Sequence, residues 1–229
     1  MKQFFLFLFV SIFSIGAFAQ APKATKDYNK ASDSDPKAKA ILDKVRKKYE
    51  GYNSMEMAFT LDMEFPEQPK QTQKGKVARQ GKKYRVEMPA QSVISDGSAI
   101  WLILPANKEV QINPMPEPGE DENLLSPETL FNFYNKGKFA YVLVNEIAQG
   151  GKILQQIEFK PLDKNFDYSK LRMEVDKKTN EVATVKAFGK DGSRFTMTIT
   201  QLTPNKTFAA SYFTFDKAKY PGFHVEDLR

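Results

Sequence analysis

Between Met55 and Phe65 every second residue is apolar: Met55, Met57, Phe59, Leu61, Met63 and Phe65. Ser54, Glu56, Ala58, Thr60, Asp62 and Glu64 lie between them. Successive strand side chains point to opposite faces, so the pattern predicts one long strand with an apolar face and a mostly polar one. Half of the apolar face is methionine, a flexible and polarizable side chain suited to variable apolar partners. Such a face either packs as the core side of an antiparallel sheet or lines a cavity for an apolar ligand. A helical pattern precedes it. Ala38, Ile41, Leu42, Val45 and Tyr49 form one apolar stripe, and Lys37, Lys44, Lys47 and Lys48 cover the other side. Asp35 as cap, Pro36 at the first position and Gly51 as the stop bound this helix.

Short β-type segments follow at roughly 72–80, 83–88, 92–95, 98–104 and 108–112, bounded by turn residues such as Gly81-Lys82 and Asp96-Gly97. Residues 113–123 form an acidic, proline-rich loop. Ser126 and Pro127 then open a second predicted helix, whose bulk comes from Leu130, Phe131, Phe133 and Tyr134. Strands resume at 139–147, 152–160, 170–176, 181–188, 194–201 and 211–215. About ten to twelve strands with two or three helices predict a mainly β, α+β fold. Its natural architecture is a strongly curved antiparallel sheet with helices on one face.

The N-terminus changes the picture of where the chain works. Lys2, the apolar run Phe4 to Ile15 and Ala17-Phe18-Ala19 read as a secretory signal over 1–19 with a small-x-small cleavage site. Residues 20–34 are polar and small and read as a flexible linker, leaving 35–229 as a single domain. Losing Lys2 with the signal takes the formal net charge from +6 to +5. That modest excess shows no dense basic stripe interleaved with aromatics, so nucleic acid is not an expected partner.

Chemistry is sparse. The chain has no cysteine, which excludes a lipidated cysteine at the signal, a thiol nucleophile and disulfides. His224 is the single histidine, and no G-x-S-x-G elbow, P-loop or G-x-G-x-x-G run occurs. The acidic runs do not match a calcium loop. A glycosidase carboxylate pair need leave no local pattern, and nothing in the chain points to one. The expectation is a protein that is not an enzyme and holds no metal or cofactor.

Two stretches resemble the LolA family of periplasmic lipoprotein carriers. Val93 to Pro105 (VISDGSAIWLILP) is similar to the family hairpin with S-D-G at its turn and a tryptophan in the following strand. Tyr212-Phe213-Thr214-Phe215, followed by Pro221 to Arg229, resembles the family's F-x-F strand and closing segment. The order of signal, amphipathic helix, long first strand and glycine-led strand pair from Gly75 to Met88 also fits. The resemblance implies an unclosed β-barrel covered by a helical lid, with an apolar cavity between them. That cavity takes the acyl chains of lipoproteins and carries them from the inner to the outer membrane. The implied partners are acylated lipoproteins, an inner-membrane lipoprotein-releasing ABC transporter and an outer-membrane acceptor. The protein would work in the periplasm as a monomer. The alternative is a lipid-binding module or sensor of the same fold that does not pass its cargo on.

On this reading the acyl-chain cavity is walled by Met55, Met57, Phe59, Leu61 and Met63 from the long strand. Tyr84 and Val86 join them from the glycine-led pair, and Trp101 and Ile103 from the tryptophan strand. Leu130, Phe131, Phe133 and Tyr134 belong to the second helix. Lid control falls to Arg79 or Gln80. Family members carry a lid-holding arginine in this turn, and Gln80 aligns with it, whereas Arg79 stands one step away and so on the opposite face of a strand.

Overall fold

Asp35 both starts the helix and ties it to the sheet. One carboxylate oxygen accepts from Lys37 N at 2.8 Å, and α1 runs Pro36–Glu50. The other oxygen accepts from Leu143 N, while Asp35 N donates to Tyr141 O at 2.9 Å. The five apolar stripe residues named above are all buried, and the lysines stay on the outside. This computed structural model describes residues 29–115, 134 and 137–229. The predicted signal, linker residues 20–28, the acidic loop from 116 onward, and Leu130, Phe131 and Phe133 lie outside the described residues. One α-helix is therefore seen among the described residues.

Among the described residues twelve strands make one sheet. They are β1 (Ser54–Glu64), β2 (Gln71–Gln80), β3 (Lys83–Glu87), β4 (Ser92–Ser95), β5 (Ala99–Leu104) and β6 (Glu109–Pro114) in the first half. The second half adds β7 (Phe139–Gln149), β8 (Lys152–Pro161), β9 (Tyr168–Asp176), β10 (Val182–Gly189), β11 (Arg194–Pro204) and β12 (His224–Asp227). Their order is β12-β6-β5-β4-β3-β2-β1-β11-β10-β9-β8-β7, so β12 and β7 are the end strands and the sheet is unclosed, with residues 34 and 35 bonding along part of β7. Every neighbouring pair is antiparallel except β12 with β6.

Two local expectations change. Residues 211–215 do not form a strand. The chain there makes a 3₁₀ turn at Ala210–Phe213, and Tyr212 O is satisfied by Arg85 Nη1 at 3.2 Å instead of a ladder partner. The last strand, β12, was hidden in a short charged segment whose pairing comes from β6 alone.

The apolar face of β1 meets α1 in a large core. Ala38, Leu42, Val45 and Tyr49 pack with Met55, Met57, Phe59, Leu61, Ile157, Phe159, Leu171, Met173 and Met197. Phe59 lies across Gly75, its cross-strand partner on β2. A Cβ at position 75 would sit 2.3 Å from Phe59 Cζ, which explains glycine inside a strand. A second cluster (Ile94, Ile103 and Val110, with Trp101) is covered by the C-terminal segment through Phe215, Tyr220, Phe223 and Val225.

Ion pairs predict how the fold responds to acid. Burial pushes the Glu158 carboxyl up, but hydrogen bonds and charge from Arg172 and Lys170 outweigh it and hold it below its ordinary value. Lys39 does the same for Asp43, and Lys70 for Asp62. A lowered carboxyl stabilises the native state above its unfolded value, and that contribution is lost as pH falls through the lower native one. The urea midpoint should therefore drop as pH falls from about 6 to about 3. An unchanged midpoint would show that these pairs contribute nothing.

Candidate functional site

Strand register defines which residues share the inner face, the side that α1 covers. One row runs Met57, Val77, Val86, Val93 and Leu102 across β1 to β5. The next runs Met55, Arg79, Tyr84, Ser95 and Ile100. Towards β7 the face continues as Leu61, Met197, Val185, Met173 and Ile157. The inner face is thus apolar over most of its width, and Arg79 is the charged residue of the first two rows.

The face has two parts. Beneath α1, Met55 and Met57 are 0% and 1% exposed, Phe59 is 5% and Leu61 is 7%. Met55 and Met57 are enclosed by other side chains, so they form a packed floor in this conformation and do not border open space. Met63 is half-buried at the strand end. From β3 to β5 the same face holds Val86, Val93, Ile100 and Leu102, all half-buried, while Tyr84 is buried beside Arg79. Tyr134 lies against α1, where its hydroxyl donates to Leu42 O at 2.7 Å and burial pushes its phenol pKa up.

Trp101 and Ile103 do not join this face. Trp101 pairs with Ile94, Ile94 with Arg85 and Arg85 with Ala78, which pairs with Glu56 on the polar side of β1. Trp101 stacks on Phe215 with ring centroids 6.0 Å apart, beneath the C-terminal segment. The residues that face inward are Ile100 and Leu102. In an unbroken apolar run from Ile100 to Leu104 alternation cannot tell one face from the other. Register counted through two hairpins could have done so, because Tyr84 pairs with Ser95 and Ser95 with Ile100.

Arg79 stands on the inner face, and Gln80 is exposed on the other. The Arg79 guanidinium donates to Tyr49 O at 2.9 Å and Tyr52 O at 3.2 Å, holding the C-terminal end of α1. The Tyr49 hydroxyl accepts from Val182 N on β10 at 3.2 Å, and burial raises its phenol pKa, so it stays neutral. One helix end is therefore bonded to strands on both sides of β1. Among the described residues no three acidic or imidazole groups gather as a metal site. Among the described residues the inner face carries mostly apolar side chains, with Arg79, Tyr84 and Ser95 as its polar members in the first two rows. What it offers is apolar surface under a helix held by a few polar bonds.

Residues 50–216 match the profile of the family described as Outer membrane lipoprotein carrier protein LolA. No curated protein sequence matches the chain. Among solved structures, an uncharacterized conserved protein from Thermus thermophilus is similar at 9% identity and TM-score 0.56, over 83% of this chain and 99% of that one. A LolA superfamily protein from Nitrosomonas europaea shares 13% identity with TM-score 0.42, covering 78% of this chain and 98% of its own. The MucA/MucB complex of Pseudomonas aeruginosa gives 14% identity and TM-score 0.40, over 79% and 61%. At these identities the Thermus protein shows a shared fold and nothing finer.

Proposed function

The chain belongs to the LolA family of outer membrane lipoprotein carriers, and from that premise we propose that its inner face receives the acyl chains of lipoproteins and carries them across the periplasm. The observation that supports this reading is the continuous apolar inner face, which passes from a packed floor under α1 to half-buried Val86, Val93, Ile100 and Leu102. Burial is worth about 0.8 kcal/mol per CH₂, so a sixteen-carbon chain gains on the order of 12 kcal/mol. That gain is large enough to draw a chain out of water. Release then requires a site that grips without fixed polar contacts, and adaptable Met and branched aliphatic side chains meet this need. A lipoprotein-releasing ABC transporter would load the trough, and an outer-membrane acceptor would empty it.

The test is to express the protein with its export signal, purify it from the periplasm and identify bound species by mass spectrometry. Acylated lipoproteins should co-purify. Leu102→Glu should cut their yield by about tenfold or more, since an acyl chain cannot offset the burial of an unpaired carboxylate. Transfer to acceptor vesicles separates a carrier from a sensor that keeps its lipid. A wild type that binds no acylated species, with Leu102→Glu indistinguishable from it, would overturn the proposal.

A further inference from the structure

The outer face of the same sheet carries a groove of threonine and basic side chains, with an apolar patch at its β2 end. Lys74, Thr60, Thr198 and Thr184 are cross-strand partners in one row over β2, β1, β11 and β10. A hollow of about 670 Å³ lies at the β2 end, lined by Lys74, Lys76, Thr60 and Thr200 among others. Ala58, Lys76 and Glu87 form one outward row and Thr60 and Lys74 another, so the hollow opens on the outer side, with Phe59, Gly75 and Met88 of the inner face also reaching its lining. A second hollow of about 230 Å³ lies at the β10 end, lined by Thr184, Thr196, Thr198, Lys186 and Arg172 among others. The two meet where Thr60 pairs with Thr198. At about 4.8 Å per strand, Lys74 and the β10 end of the row stand roughly 14 Å apart.

The charges along this groove do not cancel. Among the described residues Lys74, Lys76 and Lys186 have no ion-pair partner. Two bordering acids are paired, Glu87 with Arg85 at 2.7 Å and Asp62 with Lys70 at 2.7 Å, while Glu174 accepts from the neutral Gln156 amide at 2.7 Å and keeps its charge, so the excess of bases is reduced but not removed. Arg172 and Lys170 share the single carboxylate of Glu158. Along the floor the hydroxyls of Thr60, Thr184, Thr196 and Thr198 are half-buried and form no side-chain bond among the described residues. Each can donate one hydrogen bond and accept others.

We propose that this groove binds an anionic oligosaccharide. Its ring hydroxyls would exchange hydrogen bonds with the threonine floor, and its acidic groups would meet Lys74 and Lys76 at one end and Lys186 and Arg172 at the other. Two rival occupants fit less well. Central strands have their backbone groups paired, so an extended peptide finds no ladder to join. A bilayer finds little bare apolar surface here. At the β10 end Phe188 is ringed by Lys170, Arg172 and Lys186 at 4.8, 5.7 and 5.7 Å. In the β2 hollow, which Phe59, Met88 and Pro89 also line, Phe59 is only 5% exposed and Met88 is half-buried. Since the groove and the trough occupy opposite faces, an envelope glycan could hold the protein at a sugar-rich surface while lipid enters or leaves.

Calorimetric titration of the full chain with a heparin-derived hexasaccharide tests this, against neutral dextran oligosaccharide, inorganic phosphate and phosphatidylglycerol vesicles. The acidic sugar should bind, and dextran should not. The Lys74→Gln/Lys186→Gln pair should weaken binding by about tenfold or more with only a small change in unfolding midpoint, because neither lysine holds an ion pair and Lys186 adds only a minor charge effect on Asp62 beside that of Lys70. Thr198→Val with Thr184→Val should weaken it without altering charge, which bulk electrostatics alone would not do. Acyl capture should be the same in all these variants, so this inference and the carrier reading fail separately. Wild-type affinity in the lysine pair would overturn the proposal. So would an unchanged affinity in the threonine pair, or phosphate or vesicles binding as tightly as the sugar through the same lysines.

Discussion

Replacing Phe159 with alanine should destabilise the protein by about 3–5 kcal/mol. Phe159 is 0% exposed on the inner face of β8, with ring centroids of Tyr141, Tyr134 and Phe139 at 5.9, 6.1 and 6.4 Å. Truncation removes its own burial and leaves a void between three rings that are themselves held in place. Tyr134 is fixed by its bond to Leu42 O, so the site cannot collapse freely. Against a total stability of about 5–15 kcal/mol the loss would bring the protein close to unfolding at 37 °C. Urea denaturation with an unchanged slope checks it. Phe159→Leu, which refills most of the space, should cost under about 1.5 kcal/mol. A loss below about 1 kcal/mol for alanine would mean that the cluster under α1 is loosely packed.

The second large effect concerns how the helix is held. Arg79→Leu keeps the apolar stem but removes both donated bonds to Tyr49 O and Tyr52 O. Bonds from a charged donor contribute about 1.5–3 kcal/mol, and two carbonyls are left to find water. Amide exchange near Lys47 to Tyr52 should accelerate more than exchange in β8, because the release is local. Lipid exchange from the purified protein should quicken in parallel. Gln80→Leu should do neither, since Gln80 is exposed on the opposite face. Equal loosening by both substitutions would remove Arg79 from the role of latch.

Local pattern carried much of this fold. Alternation placed β1 to within a residue of Ser54–Glu64, and Asp35, Pro36 and Gly51 bounded α1 as found. These features are written in neighbouring residues, so short-range rules find them. Trp101 and Ile103 were assigned to the wrong face because β5 is apolar on both sides: one side meets the trough and the other meets the C-terminal aromatics. Met55 and Met57 stand on the expected face, but the helix above them fills the space they were expected to border.

By itself the sequence determined the alternating apolar face of β1, the amphipathic helix with its cap, the family likeness and the poverty of catalytic groups. Each is a property of residue type and spacing along the chain. Tertiary structure alone decided that Arg79 and not Gln80 reaches α1, and that Ile100 and Leu102 look inward. It also decided that Lys74 and Lys186, distant in sequence, stand along one outer groove. These depend on register across a twelve-stranded sheet, where a single step reverses a side chain and partners can lie more than a hundred residues apart.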